Sequence, residues 1–268
     1  MTITAKLETV IDAAWQLARD VPGYIGEREF GALALLAACA PGAGVIVEIG
    51  SFKGKSTVAL ASVAAHYGLG PVVSIDPHNA PSLTDPILEG QSSSYHDFLA
   101  TLRTAGLERH VEVHRASSRD VAKGWNRPIQ LLWIDGDHTY VGAKEDFDLF
   151  SPHLAEHAIV AFHDTLHEFE GPIRVFVENV LASDQFGPAG FLHTIGWSQH
   201  RPRDGARFRA ERECLARRAA RLIPFLTEGR EVKGLTKLRY KLRRALVPHA
   251  VLAPTEWLAK VSPWPPSP

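Results

Sequence analysis

Two short stretches of this chain combine carboxylates and imidazoles at spacings that can do chemistry: Asp135-Gly136-Asp137-His138 and His163-Asp164. Each follows an apolar run, Leu131–Ile134 and Ala158–Phe162, with the length and composition of a strand buried on both faces. If those strands lie side by side in an open α/β sheet, their carboxyl ends bring Asp135 and Asp164 to the edge where such sheets bind ligands. Two carboxylates there can hold a hard cation, with water and substrate oxygens completing its shell. His138, three residues beyond Asp135, can then take a proton from a hydroxyl bound to that cation. A plainer reading stays open, in which Asp137 or Thr139 caps the following helix and His138 is simply hydrogen-bonded at a strand end.

A third stretch has the makings of a ligand loop. Val45-Ile46-Val47 is another buried-strand run, Gly50 and Gly54 bracket a polar turn, and Ser56-Thr57 open a helix that continues through Val58–Ala61. The spacing counts against two nucleotide sites. A P-loop places four residues between its first glycine and Gly-Lys-Ser, and only three separate Gly50 from Gly54-Lys55-Ser56. A dinucleotide fingerprint needs Gly-x-Gly-x-x-Gly, which Gly50-x-x-x-Gly54 is not. Glu48, closing the strand, would repel a phosphate and suits a ligand with positive charge or hydroxyl donors. Asp76 follows the next strand run, Val72–Ile75. At that place a carboxylate accepts both ribose hydroxyls of an adenosine, or caps a turn.

Together, Glu48–Thr57, Asp135–Tyr140 and Phe162–Thr165 resemble the motifs of class I S-adenosylmethionine (SAM)-dependent methyltransferases, in the subgroup that includes metal-dependent small-molecule and sugar O-methyltransferases. The resemblance spans roughly residues 20–200. It implies an α/β fold, a Rossmann-like doubly wound sheet of seven mostly parallel strands with an antiparallel final hairpin. It also implies that SAM is held by Glu48, Gly50, Ser51, Gly54, Ser56, Thr57, Asp76, Ser117, Ser118 and Asp135. Ser117 and Ser118 read equally well as solvated turn residues. Magnesium or another divalent cation would sit on Asp135, His163 and Asp164, with His138 as the base. His163 departs from the acidic pair of the family, and imidazole suits transition metals better than magnesium. Catalysis by His138 without metal therefore stays open. The implied reaction is methyl transfer to a hydroxyl of a small molecule, a sugar or glycan precursor first among acceptors. The rivals are an NAD-dependent oxidoreductase on a similar sheet and a non-catalytic membrane-surface or scaffold protein.

The elements that must position these groups follow from the rest of the chain. With 268 residues, 45% of them hydrophobic, the chain can bury one large α/β core plus appendages. Cys39 and Cys214 are the only cysteines; they form neither a disulfide framework nor a metal spacing, so a reducing cytoplasm is the expected setting. Residues 1–40 read as two helices, with Leu7, Val10, Ile11, Ala14 and Leu17 on one face before Pro22-Gly23. Residues 41–210 read as the SAM-binding domain. It adds the polar loop Asn79–Ser94, a helix over His96–Ala105, a strand over Val111–His114 and a helix over Ile173–Leu181. Phe191–Trp197 and Ala206–Arg209 are expected to pair as a hairpin across Arg201–Gly205.

Residues 211–268 read as a basic helical extension. Residues 1–200 carry about −11 and residues 201–250 about +10. Leu235, Leu238, Leu242 and Leu246 share one helical face amid lysines and arginines. Such a helix docks on its own domain, joins a homo-oligomer, or lies on the inner face of an anionic membrane. No aromatic-interleaved motif points to nucleic acid. Ser262–Pro266 reads as an extended or disordered end.

Overall fold

A computed structural model describes residues 3–40, 43–79, 92–226 and 232–249. Most of the Asn79–Ser94 loop and the whole of Ser262–Pro266 lie outside the described residues. Two helices, α1 (Ile3–Ala18) and α2 (Glu27–Ala38), lead into a seven-stranded sheet. Its first half is β1 (Val45–Ile49), α3 (Lys55–Tyr67), β2 (Val72–Ile75), α4 (Tyr95–Ala105) and β3 (Val111–His114). After the short α5 (Ser118–Ala122), the second half is β4 (Ile129–Ile134), α6 (Tyr140–Phe150), β5 (Leu154–Phe162) and α7 (Glu170–Val175), the last continued by a π-helical turn over Phe176–Leu181. The closing pair is β6 (Phe186–Leu192) and β7 (Ile195–His200), followed by α8 (Arg209–Ala219) and α9 (Gly234–Arg244).

The strand order is β3-β2-β1-β4-β5-β7-β6, parallel from β3 to β5, with β7 antiparallel to both β5 and β6. The chain runs outward from β1 to β3 and then returns to β4 on the other side of β1. That reversal opens the crevice at which doubly wound sheets bind ligands. β1, β2 and β4 are buried along their whole length, as continuous Val/Ile/Leu runs covered by helices on both faces must be. One face packs on α1, α2 and α3 through Phe30, Leu33, Leu36, Val58 and Leu60; the other packs on α6, α7 and α8 through Phe150, Ile173, Phe176 and Leu222.

The register fixes the site. Ile49 lies level with Ile75 and Ile134, and Ile134 with Phe162. The ladder continues one residue past the strands, with Gly50 N–H donating to Ile75 (3.0 Å), Asp135 N–H to Ile49 (2.8 Å) and His163 N–H to Ile134 (3.0 Å). Gly50, Asp76, Asp135 and His163 therefore leave the sheet along one edge.

Three expectations are corrected. The final hairpin is not formed by Phe191–Trp197 with Ala206–Arg209. It is Phe186–Leu192 against Ile195–His200 around a two-residue turn at His193 and Thr194, while Gly205–Phe208 is a 3₁₀ turn leading into α8. The Gly187-Pro188 pair disguises β6, and proline is tolerated there because β6 is the edge strand. The turn uses His193 at φ 55° instead of a glycine that would have signalled it. On α1 the buried positions are Leu7, Ala14 and Ala18, while Leu17 is exposed. On α9 the leucine stripe is exposed and Tyr240 is the buried residue, so the helix docks by the face opposite to its leucines. Ala219, Leu222, Leu226, Val232, Tyr240 and Val247 all join the core around α6 and α7.

Candidate functional site

The carboxyl edge of the sheet opens into a cavity of about 660 Å³, walled by the β1–α3 loop, Asp76–Asn79, Ser117, Ser118, Asp135–His138, the first turns of α6, His163, Asp164, residues 22–25 between α1 and α2, and Glu29 of α2. That size suits a drug-sized ligand or cofactor.

The β1–α3 loop is built for close approach. Gly50 sits at φ 85°, and a Cβ there would run into the backbone of Asp135, so only glycine fits. Asp76 holds the loop from the side: its carboxylate accepts the N–H of Ser51 (2.9 Å), Phe52 (2.8 Å) and His78 (2.6 Å). Ser51 Oγ and His78 Nε2 are buried without a hydrogen-bond partner, on residues of the cavity wall. Phe52, His78 and Asp164 all adopt left-handed backbone around the same cavity. Such conformations cost about 1–3 kcal/mol each and gather at ligand sites.

Glu48 stands beneath this loop, fully buried, and takes hydrogen bonds from Ser56 Oγ and Thr57 Oγ1, both at 2.6 Å. Burial pushes its carboxyl up to about 8, against the pull of the two hydroxyls. It ties the start of α3 to the end of β1 and does not face the cavity, whereas Gly50, Ser51, Ser56, Asp76, Ser117, Ser118 and Asp135 do. Gly54 caps α3 and Thr57 lies behind it. Ser117 N-caps α5 by accepting the Asp120 N–H, and Thr139 N-caps α6 by accepting the Gly142 N–H. The capping option for Thr139 is thus realised, and His138 is left beside it on the wall.

Beside the loop, Asp135, His138, His163 and Asp164 each offer one ligand atom, all within 4.8 Å of one another. His163 Nδ1 is 3.0 Å from Asp135 and 3.5 Å from Asp164; His138 Nε2 is 3.3 Å from Asp164 and 3.6 Å from Asp135. Burial alone would lower both imidazoles. The adjoining carboxylates reverse this, lifting His138 to about 9 and His163 well above its ordinary value. Asp135 and Asp164 are correspondingly held low against the opposing effect of burial. The cluster thus holds positive charge, as protons or as a metal ion. Two carboxylates and two imidazoles form a donor set that fits a divalent cation, a transition metal better than magnesium.

Among the further carboxylates of this cavity, two that sequence spacing does not reveal are Glu29 and Asp146. Glu29, from α2, lies 3.7 Å from His163 Nε2, accepts the Thr194 hydroxyl, and is brought down to about 2 in spite of burial by the neighbouring His163 imidazole and the hydrogen bond from Thr194. Asp146, from α6, is buried on the wall near Ser118 and is pushed up to about 7 by that burial. Both sit on helices whose apolar pattern explains them as solvent-facing polar positions, so only the packing exposes their role.

Residues 47–165 match the family described as a methyltransferase domain. The fold is that of an O-methyltransferase from Bacillus cereus solved with S-adenosylhomocysteine, at 19% identity over 74% of this chain and 92% of the other, with a TM-score of 0.50. It is also that of the O-methyltransferase TomG from Streptomyces achromogenes in complex with SAM, at 19% identity over 75% of this chain and all of TomG, TM-score 0.51. The O-methyltransferase NovP matches at 13% identity over 74% of this chain and 98% of its own, TM-score 0.56. The chain thus contains a stretch that matches a methyltransferase domain, and it has the fold of SAM-dependent methyltransferases of class I. Two of those structures hold SAM or its demethylated product, and the cradle around Gly50, with Ser51 Oγ and His78 Nε2 lacking partners, fits a ligand of that kind.

Proposed function

We propose that this enzyme transfers the methyl group of SAM to a hydroxyl of a small molecule, with a sugar or glycan precursor first among acceptors. The observation that carries the reading is the Asp135–His138–His163–Asp164 cluster, which shares one cavity with the glycine loop. SAM supplies an already reactive methyl group on its sulfonium, so alignment is the main task left to the protein. Asp76, at the end of β2, would receive the ribose hydroxyls. Gly50, Ser51 and Ser56 would hold the methionine end, Ser117 and Ser118 would border the adenine, and Gly54, Glu48 and Thr57 would keep the loop in shape from behind.

His138 lines the cavity with its ring against Phe169, centroids 4.5 Å apart, and its Nε2 is turned toward Asp135 and Asp164. It serves as general base once its proton has left. A divalent cation on Asp135, His163 and Asp164 would take up the negative charge those carboxylates now lend to His138 and would make the acceptor hydroxyl more acidic. Glu29, Thr194 and His163 line the same end of the cavity with donors and acceptors, which favours a polyhydroxylated acceptor over an apolar one. Cys39 and Cys214 are not paired in a disulfide, in keeping with work in the cytoplasm.

The test is a calorimetric titration with SAM, S-adenosylhomocysteine and NAD, each with and without divalent metal, followed by a methyl-transfer screen that starts with sugars. Binding of the two sulfur ligands and transfer to a hydroxyl are expected. NAD binding without SAM binding, or transfer only to nitrogen or carbon acceptors, would overturn the reading.

A further inference from the structure

The last described helix is mounted the wrong way round for a surface helix. In α9 the buried side chain is Tyr240, 1% exposed, whose hydroxyl donates to the His167 carbonyl. Val232 before the helix and Val247 after it are also buried. The apolar stripe faces outward instead: Leu235, Leu238, Leu242 and Leu246 are 54 to 75% exposed. At 100° per residue Leu235, Leu238 and Leu242 fall on one side of the helix and Tyr240 on the other, with Leu246 exposed in the turn that follows. Arg239 and Arg243 border the stripe on one flank and Lys241 on the other, while Lys237, nearer the docked face, is paired with Glu168 at 2.9 Å. Among the described residues nothing covers the stripe, and scattered exposed leucines are ordinary where four in a row are not.

We propose that this face is the seat of an anionic lipid surface, with the leucines entering the acyl boundary and the bordering arginines and lysine meeting the headgroups. Charge complementarity selects this occupant. The segment 201–250 carries about +10, and an apolar stripe between basic rows is the pattern of a helix lying in the interface of an anionic bilayer. A second copy seated on the stripe would bring Arg239, Lys241 and Arg243 against their own counterparts, and four leucines fall far short of the ~20–30 residues a side that a stable interface uses. The chain's own end, residues 250–268, holds one acidic and one basic side chain, Glu256 and Lys260, and so offers no charge to answer the basic rows. No described helix is long and apolar enough to cross a membrane, so the contact is with the surface.

The seat is linked to the cavity. His167, bonded to Tyr240, is on the cavity wall and stacks on Phe169 at 5.4 Å, and Phe169 is the ring beside His138. The acceptor end of the site thus stands about one helix diameter, ~10 Å, behind the lipid surface.

The experiment is vesicle flotation of the full-length protein without SAM, so that its outcome is independent of the methyltransferase reading. Vesicles of phosphatidylglycerol and phosphatidylcholine are compared with pure phosphatidylcholine at low and high salt. At least tenfold tighter binding to the anionic vesicles is expected, weakened by salt. The Leu238→Ser/Leu242→Ser double variant should lose at least tenfold in that binding, and Arg239→Gln/Lys241→Gln should lose both binding and salt sensitivity, with melting temperature and SAM affinity unchanged in each. Wild-type protein without preference for anionic vesicles overturns the proposal. So does a dimer, seen by sedimentation, that dissociates on Leu238→Ser/Leu242→Ser, or vesicle binding that appears only after residues 250–268 are deleted.

Discussion

The N–H of Gly171 donates to the carbonyl of His138 at 3.1 Å, and a side chain cannot stand between them, because a Cβ at 171 would run into the carbonyl oxygens of His138 and Thr139. The start of α7 is therefore pressed against the backbone that carries the imidazole. His138 is held from behind by this contact and from the side by Phe169, two residues before Gly171.

Replacing that glycine should move the proposed base, His138, without touching the β1–α3 loop. For Gly171→Ala we expect kcat to fall by about 10–100-fold, since a displacement near 1 Å is enough for such a loss. The SAM dissociation constant should stay within about twofold, because the atoms nearest residue 171 are the carbonyls of His138 and Thr139 and none belongs to the loop. Steady-state kinetics beside a SAM titration separates the two. A parallel loss of SAM affinity would mean that residue 171 supports the whole cavity and not His138.

Asp76 is the cofactor-side counterpart. Its two oxygens fix the N–H groups of Ser51, Phe52 and His78, so truncation disorders the loop and also removes the proposed ribose acceptor. Asp76→Ala should weaken SAM binding by at least about tenfold, or ~1.4 kcal/mol, and lower the melting temperature. Unchanged SAM affinity would place the ribose elsewhere.

How much of this was legible beforehand depends on whether a residue acts through its neighbours in sequence or in space. The runs ending at Glu48, Asp76, Asp135 and His163 announce themselves, because parallel strands buried on both faces are continuous apolar segments and their carboxyl ends share an edge. The role of Glu48 was not legible. Its charge suggested a ligand contact, whereas Ser56 and Thr57, in the first turn of α3, turn the carboxyl inward. Glu29 and Asp146 escaped for the opposite reason, since helical periodicity reports which face is buried and not that a polar residue ends at a cavity. β6 was hidden by Gly187-Pro188, because an edge strand tolerates residues that a central one does not.

The buried Glu48 gives a pH signature. Its folded pKa of about 8 stands above the ordinary 4.5. Between these values the folded chain keeps a proton that the unfolded chain has lost. Stability therefore falls as pH rises from about 4.5 to about 8, by on the order of several kcal/mol if the carboxyl ionises in place. Glu48→Gln removes this titration and keeps an oxygen that accepts from Ser56 or Thr57. The drop in melting temperature from pH 6 to pH 9 should be clearly smaller in Glu48→Gln than in wild type. Equal slopes would show that Glu48 is already ionised, and so solvated, at pH 6.

His163 sets the metal preference. It stands where the resemblance leads one to expect a carboxylate, at the end of β5, with Nδ1 toward Asp135 and Nε2 toward Glu29. With its imidazole the cluster suits manganese, cobalt or zinc; with an aspartate there it would be an oxygen site suited to magnesium. Wild-type protein stripped by a chelator should regain activity with a transition metal at about tenfold lower concentration than with magnesium, and His163→Asp should reverse that order. Calorimetric metal titrations of both proteins, run without SAM, read the same preference directly from affinity. If wild type binds no metal and the chelator leaves turnover intact, the four side chains work as a proton-holding network, and His138 must lose its proton to solvent before each transfer.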